Sequence, residues 1–248
     1  MTVAGFLYPG HSAEDDYPEL SGRLGSDIDL RVVHTLMRED AHRVDALLDV
    51  GGADVLAEGA RELRELGADS VVWACTSGSF VFGWDGAREQ VAGVREVAGT
   101  PASSTSFAFV NAARHLGLRR VAVAASYPDD VTSRFAEFLG EGGVEVVAIA
   151  SRDIITAAEV GHLTGSEVLE FVSRNDDASA EGILVPDTAL HTAGILDDLE
   201  DRVGKPVLTA NQVSVWEGLR LAGVEGPYEG LGSLFRVDAP AGTVVLDD

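Results

Sequence analysis

The feature that most constrains the fold of this chain is a repeated alternation of short, unbroken apolar runs with amphipathic stretches. The apolar runs of strand length are residues 3–7, 70–74, 120–125, 144–150 and 182–185. Strands that are apolar on both faces are typical of a parallel sheet covered by helices on both sides. A strand with its following helix takes roughly 25–35 residues, the length of a βαβ module. The sequence therefore predicts an α/β protein with mostly parallel strands.

The stretches between these runs have helical periodicity. In residues 54–66, Val55, Leu56, Leu63 and Leu66 fall on one face, and charged residues occupy the rest. The same spacing is found in residues 104–116, 129–139, 166–172 and 212–221. Glycines stand where the helices should end, because a left-handed residue is needed there: Gly67, Gly117, Gly140 and Gly223.

Charge excludes several classes of partner. The chain has 18 Lys and Arg residues against 41 Asp and Glu residues, a formal net charge of −23. Nucleic-acid binding requires clustered Lys and Arg to neutralise phosphates, and so does docking on anionic membranes. Neither a nucleic acid nor a membrane is therefore expected as a partner.

Cysteine content and the chain's apolar runs indicate the compartment. The 248 residues include a single cysteine, which excludes an internal disulfide, a Cys-rich zinc site and an iron–sulfur cluster. The first residues lack a basic segment, and no apolar run reaches 18 residues, so neither a signal peptide nor a membrane span is expected. We predict a cytoplasmic protein.

Common catalytic motifs are missing from the sequence. HExxH and HxH spacings are absent, so a zinc enzyme is not expected, and we predict no metal site. GxGxxG, GxxxxGK[ST] and GxSxG are also absent, which disfavours dinucleotide binding, ATP binding by a P-loop and an α/β-hydrolase triad.

Two halves of the sequence resemble each other faintly. In the first, the strand VVWA is followed by CTSGS; in the second, the strand GILV is followed by PDTAL. A further segment that begins with Pro then leads into a helix in each half. Two lobes related by a pseudo-two-fold axis would bring Cys75 and Asp187 toward one cleft, since ligands of open α/β sheets bind beyond the carboxyl ends of the strands.

Cys75 is the most informative residue for chemistry. It lies between a buried strand and Thr76-Ser77-Gly78-Ser79, a stretch rich in helix N-cap residues. Free backbone N–H groups and the positive end of a helix dipole would stabilise a thiolate there, and the same groups could bind a carboxylate. The alternative is a buried structural cysteine.

Asp187 occupies the corresponding turn of the second half. Its functional interpretation is a proton donor or acceptor facing Cys75, with a pKa raised by burial. The alternative is a simple N-cap at a helix start. His191 would share the face of Asp187 if a helix began there, but a helix-surface residue is the simpler interpretation.

Two further polar residues follow strands. Tyr127 stands at the expected rim of the cleft, where its phenol could hydrogen-bond a substrate carboxylate; the alternative is a half-buried packing residue. Asn211 follows another short strand, and a helix cap is its alternative.

Four segments together carry a family resemblance: VVWACTSGSF, AASYPDDVTSRFAEFL, VPDTAL and KPVLTANQVSVWEGLRLAG. They are similar to the maleate cis-trans isomerase and arylmalonate decarboxylase branch of the aspartate/glutamate racemase superfamily. The resemblance implies two Rossmann-like (flavodoxin-like) lobes with parallel sheets related by a pseudo-two-fold axis. It also implies an active site between the lobes that needs no cofactor and acts on small carboxylates.

The resemblance assigns roles to individual residues. Cys75 matches the first of the two catalytic cysteine positions, and Asp187 falls where the second is expected. Thr76 and Ser77 match a hydroxyl pair that binds a substrate carboxylate, and Tyr127 and the Thr188 backbone N–H would assist them.

Two departures from the family pattern matter. The second cysteine is absent, so a symmetric two-thiol reaction does not follow. The first loop reads Tyr8-Pro9-Gly10-His11 where the isomerases carry an Asn, and His11 could take over its contact. Decarboxylases of the family keep the second cysteine and lack the first, which is the reverse of this chain and disfavours decarboxylation.

These residues lead to an expected function. We expect an isomerase of a small carboxylic or dicarboxylic acid, with Cys75 as thiolate and Asp187 as proton donor or acceptor. An amino-acid or hydroxy-acid racemase, an arylmalonate-type decarboxylase and a carboxylate-binding protein without catalysis are the alternatives. Residues 1–112 with 210–248 should form one lobe and residues 113–209 the other. A homo-oligomer is compatible with the resemblance.

Overall fold

Two four-stranded parallel sheets form the framework of the protein, whose computed structural model describes residues 1–236. The first sheet has the order β2-β1-β3-β4 and the second the order β6-β5-β7-β8. The strands are β1 (Thr2–Pro9), β2 (Ile28–Thr35), β3 (Ser70–Trp73), β4 (Ala102–Ser104), β5 (Arg120–Ala125), β6 (Glu145–Ser151), β7 (Gly182–Val185) and β8 (Val207–Thr209). All pairings are parallel, so the predicted two-lobed α/β fold is confirmed.

Helices connect the strands. They are α1 (Asp16–Ser21), α2 (Val44–Val50), α3 (Ala53–Glu65), α4 (Ser77–Phe80), α5 (Gly83–Ala98), α6 (Thr105–His115), α7 (Asp129–Glu141), α8 (Ala157–Gly161), α9 (Gly165–Arg174), α10 (Leu196–Val203) and α11 (Ala210–Leu221), with short 3-10 helices at Ala193–Ile195 and Ser233–Phe235. Within residues 1–236, no helix combines the length and the apolar character needed to cross a bilayer.

The two sheets have the same topology, as a pseudo-two-fold relation between the lobes requires. Strand β1 corresponds to β5 and β3 to β7, and in each sheet the third strand in chain order lies between the first and the fourth. Strands β3 and β7 are buried along their whole length. The carboxyl end of each therefore opens at an equivalent position.

The lobes meet through the helices that follow their last strands. α6 begins directly after β4 with the N-cap Ser104, and α11 begins directly after β8 with the N-cap Thr209. The Thr105 and Ser214 hydroxyls of these helices lie 2.6 Å apart. α11 returns to the first sheet, where the Ser70 hydroxyl donates to the Gly218 carbonyl at 2.7 Å.

The lobe boundaries given above stay a prediction. The sheet of the first lobe lies within residues 2–104 and that of the second within residues 120–209. Residues 237–248, which we assigned to the first lobe, lie outside the described residues.

Segments without a clear pattern in the sequence have regular structure. Residues 8–30 contain α1 and lead into β2, and residues 151–165 contain α8. The loop between β2 and α2, residues 36–43, crosses to the second lobe: the His42 backbone N–H donates to the Ile155 carbonyl at 2.6 Å.

Candidate active site

Cys75 and Asp187 occupy equivalent places in the two lobes. Cys75 is the second residue after β3, and Asp187 is the second residue after β7. Both residues line the same pocket. The structure thus places the two residues at one cavity, on the carboxyl-end side of both sheets, where open α/β folds bind ligands.

The Cys75 thiol is buried, and the residues of the turn that follows it contact the sulfur. The Gly78 N–H donates to Sγ at 3.3 Å, and the Ser77 hydroxyl lies 3.9 Å from Sγ. A Cβ at Gly78 would lie 3.0 Å from Sγ, so a side chain at this position would crowd the sulfur.

Burial decides the protonation of this thiol. It raises the pKa of Cys75 to about 12, although the bonds from Gly78 and Ser77 oppose the rise. The sequence led us to expect a stabilised thiolate, but α4 is only four residues long and desolvation outweighs its N–H groups. The resting group is therefore a thiol rather than the predicted thiolate.

Asp187 lies in a strained turn. Its φ of 119° is in a region that non-glycine residues rarely adopt, at a cost of about 1–3 kcal/mol. The Ala189 N–H donates to Oδ1 at 2.9 Å, and the Ser126 hydroxyl donates to Oδ2. His42 Nε2 lies 3.8 Å from Oδ2.

Burial raises the pKa of the Asp187 carboxyl, and the positive charge that His42 can carry and the Ser126 hydrogen bond oppose the rise. The alternative of a helix N-cap is wrong: no α-helix begins near Asp187, and the next element is the 3-10 helix at Ala193–Ile195. Asp187 instead caps a tight turn with a side chain that faces the pocket.

The other site residues predicted from the sequence form two groups. Ser77 and Thr188 line the pocket beside Cys75 and Asp187. Thr76 and Tyr127 lie behind this wall, fully buried, so Tyr127 is not at the cleft rim as expected. The Thr76 hydroxyl has no hydrogen-bond partner in the structure. Burial raises the pKa of the Tyr127 phenol, and the Thr76 and Ser77 hydroxyls oppose the rise.

Three residues at the site were not predicted. Tyr8, at the end of β1, lines the pocket and donates to the Thr188 carbonyl at 2.8 Å. Ser126 follows β5 and His42 belongs to the loop after β2. Tyr8 and Ser126 share the signal that led to Cys75, a polar residue at a strand end; His42 has no such signal.

Asn211 and His191 have structural partners. Asn211 lies inside the first turn of α11, whose N-cap is Thr209, so the cap interpretation is wrong. Its side-chain N–H donates to the buried Asp16 carboxylate at 3.0 Å. His191 lies in a loop rather than on a helix, and its Nε2 is 2.8 Å from the Asp15 carboxylate.

One group of side chains in the described part of the chain could hold a metal ion. Ligand atoms of His11, Glu14 and His34 all lie within 4.8 Å of one another. His11 Nδ1 lies 2.9 Å from a Glu14 oxygen and is exposed. None of the three residues lines the pocket, so a cation bound there would not contact Cys75 or Asp187 directly.

Known proteins share this architecture. The arylmalonate decarboxylase family model matches residues 48–235. Arylmalonate decarboxylase of Bordetella bronchiseptica is 32% identical over 166 residues, which cover 66% of this chain and 69% of that protein. Maleate isomerase of Alcaligenes faecalis is 29% identical over 126 residues, and this match spans 50% of each chain.

A solved structure supports the fold over nearly the whole length. A cysteine-to-serine mutant of the Nocardia farcinica maleate cis-trans isomerase, with a covalently bound succinylcysteine intermediate, superposes with a TM-score of 0.87 at 20% identity, covering 96% of this chain and 99% of that one. With the family match over about three quarters of the sequence, these findings settle the relationship. The chain belongs to the arylmalonate decarboxylase family of enzymes, in the branch of the aspartate/glutamate racemase superfamily that includes the maleate isomerases.

Proposed function

We propose that this protein is an isomerase of a small carboxylic or dicarboxylic acid that works without a cofactor, in the manner of a maleate cis-trans isomerase. The observation that carries the proposal is the placement of the Cys75 thiol and the Asp187 carboxyl at one pocket, in equivalent turns of the two lobes. A cysteine-bound succinyl group in the Nocardia maleate isomerase is consistent with a sulfur nucleophile.

One substrate carboxylate would be held by hydroxyl groups of the first lobe. Ser77 lines the pocket, and Thr76, whose hydroxyl has no partner, and Tyr127 lie buried behind it, so these two hydroxyls would have to turn toward the substrate when it binds. The Thr188 backbone N–H would complete the set from the second lobe. Such fixed donors stabilise the enediolate-like charge that develops on the carboxylate during reaction.

The proposed isomerisation balances with the protons already present. Cys75 transfers its thiol proton to Asp187, and Sγ then forms a bond to one alkene carbon while the π-electron pair moves into the adjacent carboxylate. Asp187 protonates the other carbon, so the C=C bond becomes a single bond that can rotate. Asp187 then removes a proton from that carbon, the C=C bond forms again, and the Sγ–C bond breaks.

A racemase or epimerase would use the same two groups differently. Cys75 would remove the α-proton from one face of the substrate, and Asp187 would protonate the other face. The placement of the two residues at one pocket supports this reaction as well, and the product distinguishes it from isomerisation.

Decarboxylation is a second candidate that the relatives favour. The matching family model and the relative that is 32% identical are both arylmalonate decarboxylases, so they support this activity as well as the isomerase. Part of the pocket lining is apolar, with Met37, Leu47 and Val50. A carboxylate against this part would be desolvated, which favours loss of CO₂. A single proton donor then completes the reaction.

A substrate panel in D₂O, followed by NMR, separates the candidates. Maleate that becomes fumarate indicates cis-trans isomerisation. A chiral 2-amino or 2-hydroxy acid that gains α-deuterium and loses optical activity indicates racemisation. Release of CO₂ from a 2-arylmalonate indicates decarboxylation.

The C75S variant is the control in every arm. Turnover by the wild type that C75S retains in full would contradict the proposed mechanism, and no turnover of any compound would favour a carboxylate-binding protein without catalysis. A cytoplasmic location and a homo-oligomeric state remain predictions.

A further inference from the structure

We propose that His42 is a positioning residue that shares one proton with Asp187, so that the proton donor of the second lobe is a His–Asp pair rather than a single carboxyl. This inference rests on the role given to Asp187 in the proposed function. His42 has a place in the site only through the fold, since it comes from the loop after the edge strand β2 of the other lobe.

Both ring nitrogens of His42 are oriented by the structure. The ring is buried, and Nδ1 lies 2.9 Å from the Ile154 carbonyl oxygen. A carbonyl can only accept a hydrogen bond, so Nδ1 carries a hydrogen. The neighbouring Ile155 carbonyl accepts the His42 backbone N–H at 2.6 Å, which fixes the residue twice on the loop after β6. Nε2 is left to face Asp187 Oδ2 at 3.8 Å.

This orientation favours one proton on the pair, held by either group across the 3.8 Å that separates Nε2 from Oδ2. A neutral imidazole that is protonated at Nδ1 has a lone pair at Nε2, and an ionised carboxylate has only lone pairs. Two buried acceptors that face each other are unfavourable, whereas one added proton gives either imidazole beside a carboxylic acid or imidazolium beside a carboxylate. The pair is neutral in both forms, so burial tolerates either one.

The other titratable groups around the pair are acidic or neutral. Cys75 and Tyr8 line the same pocket, and the Tyr127 ring meets the His42 ring edge-on at 4.9 Å between centroids. Asp40 raises the pKa of Asp187, and its carboxylate accepts the Ala157 and Ala158 N–H groups at the start of α8.

His42 is therefore the cationic group available to the pocket. Glu39, Asp40 and Asp187 are the acidic side chains that line it, and the described lining residues include neither Lys nor Arg. A carboxylate substrate would meet only like charge unless His42 carried a proton. A protonated His42 offsets part of that repulsion and also stabilises Asp187 as a carboxylate after it has given its proton away.

The His42–Asp187 pair can also accept the thiol proton of Cys75. In the resting enzyme Cys75 is a thiol and the pair holds one proton. When Sγ attacks, the pair takes the thiol proton, so that Asp187 is a carboxylic acid and His42 is an imidazolium. Asp187 then protonates the substrate carbon, and the pair again holds one proton; the reverse steps return the thiol proton to Sγ. No proton from solvent is consumed.

The test replaces His42 with Asn in the full chain. The Asn amide can still donate to the Ile154 carbonyl, but it cannot hold a positive charge near Asp187. We expect kcat to fall roughly 10- to 100-fold, which is less than the 10²- to 10⁴-fold that a direct general acid or base contributes, because Asp187 itself is still present. The acidic limb of the pH profile of kcat/KM should move to higher pH by about one unit, because Asp187 loses a neighbouring positive charge.

A second measurement does not depend on turnover. In protein labelled with ¹³C-aspartate, the Asp187 carboxyl signal is assigned by its loss in D187N, and its titration is compared in the wild type and H42N. We expect the midpoint to be higher in H42N. The H34N variant is the matched control, because His34 Nδ1 lies 2.6 Å from the Gly10 carbonyl but the ring is exposed and outside the pocket; it should leave the Asp187 titration in place.

Each outcome has a distinct meaning. An Asp187 titration that does not move in H42N overturns the His–Asp pair, whatever the enzyme turns over. A titration that moves in a protein that converts none of the acids supports the pair and refutes the proposed function. If H42N does not fold, H42Q keeps an N–H group near Asp187 without the charge, and the same upward shift is required of it.

Discussion

The turn after β3 and the turn after β7 start from the same position in equivalent sheets but are built for different chemistry. After β3, helix α4 begins at Ser77, and Ser77 and Gly78 lie next to the Cys75 sulfur, to which the Gly78 backbone N–H donates. After β7, the backbone adopts a φ of 119° at Asp187 and the carboxyl is held by donors from its own lobe and faced by His42 of the other.

The difference shows how a two-fold scaffold can support an asymmetric site. Both turns place a side chain at the carboxyl end of a buried parallel strand, so both reach the same pocket. Burial raises the pKa of the thiol and of the carboxyl alike. One group thereby rests as a thiol in need of a base, and the raised pKa of the other makes its carboxylate form a stronger base than an exposed aspartate.

The strongest test of the comparison is C75S. Serine is nearly the same size and can accept the Gly78 N–H, so the turn should keep its structure, while the hydroxyl is a far weaker nucleophile. We expect turnover to fall roughly a thousandfold or more. The melting temperature should be nearly unchanged. Steady-state kinetics and thermal unfolding check both parts, and a C75S protein with wild-type turnover would show that the first turn is only structural.

The next test changes the other turn. D187N keeps the shape of the side chain and the hydrogen bond from Ala189 but replaces the titratable carboxyl with an amide. We expect kcat to fall about 10²- to 10⁴-fold, which is the usual contribution of a general acid or base. D187C returns a titratable group to the same place and should lie above D187N. Equal activity of D187N and wild type would mean that the proton comes from another residue.

The central strands of each sheet could be predicted from the sequence. Strands β5 and β7 have the bounds that the apolar runs predicted, because a strand buried on both faces leaves a continuous apolar signal. The edge strand β2 was not predicted, since its sequence IDLRVVHT contains three charged or titratable residues and half-exposed positions. Helix α5 buries only Ala87, Val94 and Ala98, which is too weak a pattern to recognise.

The candidate site could be predicted only where it follows the strands. Cys75 and Asp187 were found because each stands just beyond an apolar run. His42 could not be found, because its position depends on contacts with Ile154, 112 residues away in the chain. The burial of Tyr127 likewise results from packing against His42 and Phe80. Both residues are distant in the sequence, so no local pattern could predict this burial.

A smaller effect is expected from the hydroxyls of the first turn that we propose to bind a substrate carboxylate. T76V replaces a buried hydroxyl that has no partner with a methyl group of similar size. We expect KM to rise about tenfold, from a lost hydrogen bond to a charged group, with little change in the melting temperature. T105V is the matched control: it breaks the bond to Ser214 between α6 and α11, so it should lower the melting temperature and leave KM unchanged. The opposite pattern would remove Thr76 from the binding site.

The smallest effect concerns stability rather than turnover. Because the folded pKa of Asp187 is raised above its unfolded value, the folded state holds this proton more tightly, and the wild type loses stability as pH rises through the folded pKa. D187N cannot lose that stability. Its advantage over the wild type should therefore be small near pH 4 and larger at pH 7, by about 1.4 kcal/mol for each unit of raised pKa.

Thermal unfolding measured across this pH range checks the sign, since one kcal/mol corresponds to roughly 2–4 °C in a protein of this size. D201N, which removes an exposed carboxyl from α10, is the matched control for the loss of one negative charge. If D187N is instead less stable than the wild type at pH 7, then the Ala189 N–H, the Ser126 hydroxyl and His42 stabilise the ionised carboxylate. The second turn would then be an anion site rather than a proton donor. The two turns would then differ in charge as well as in chemistry, and Cys75 would have to give its proton to His42 directly.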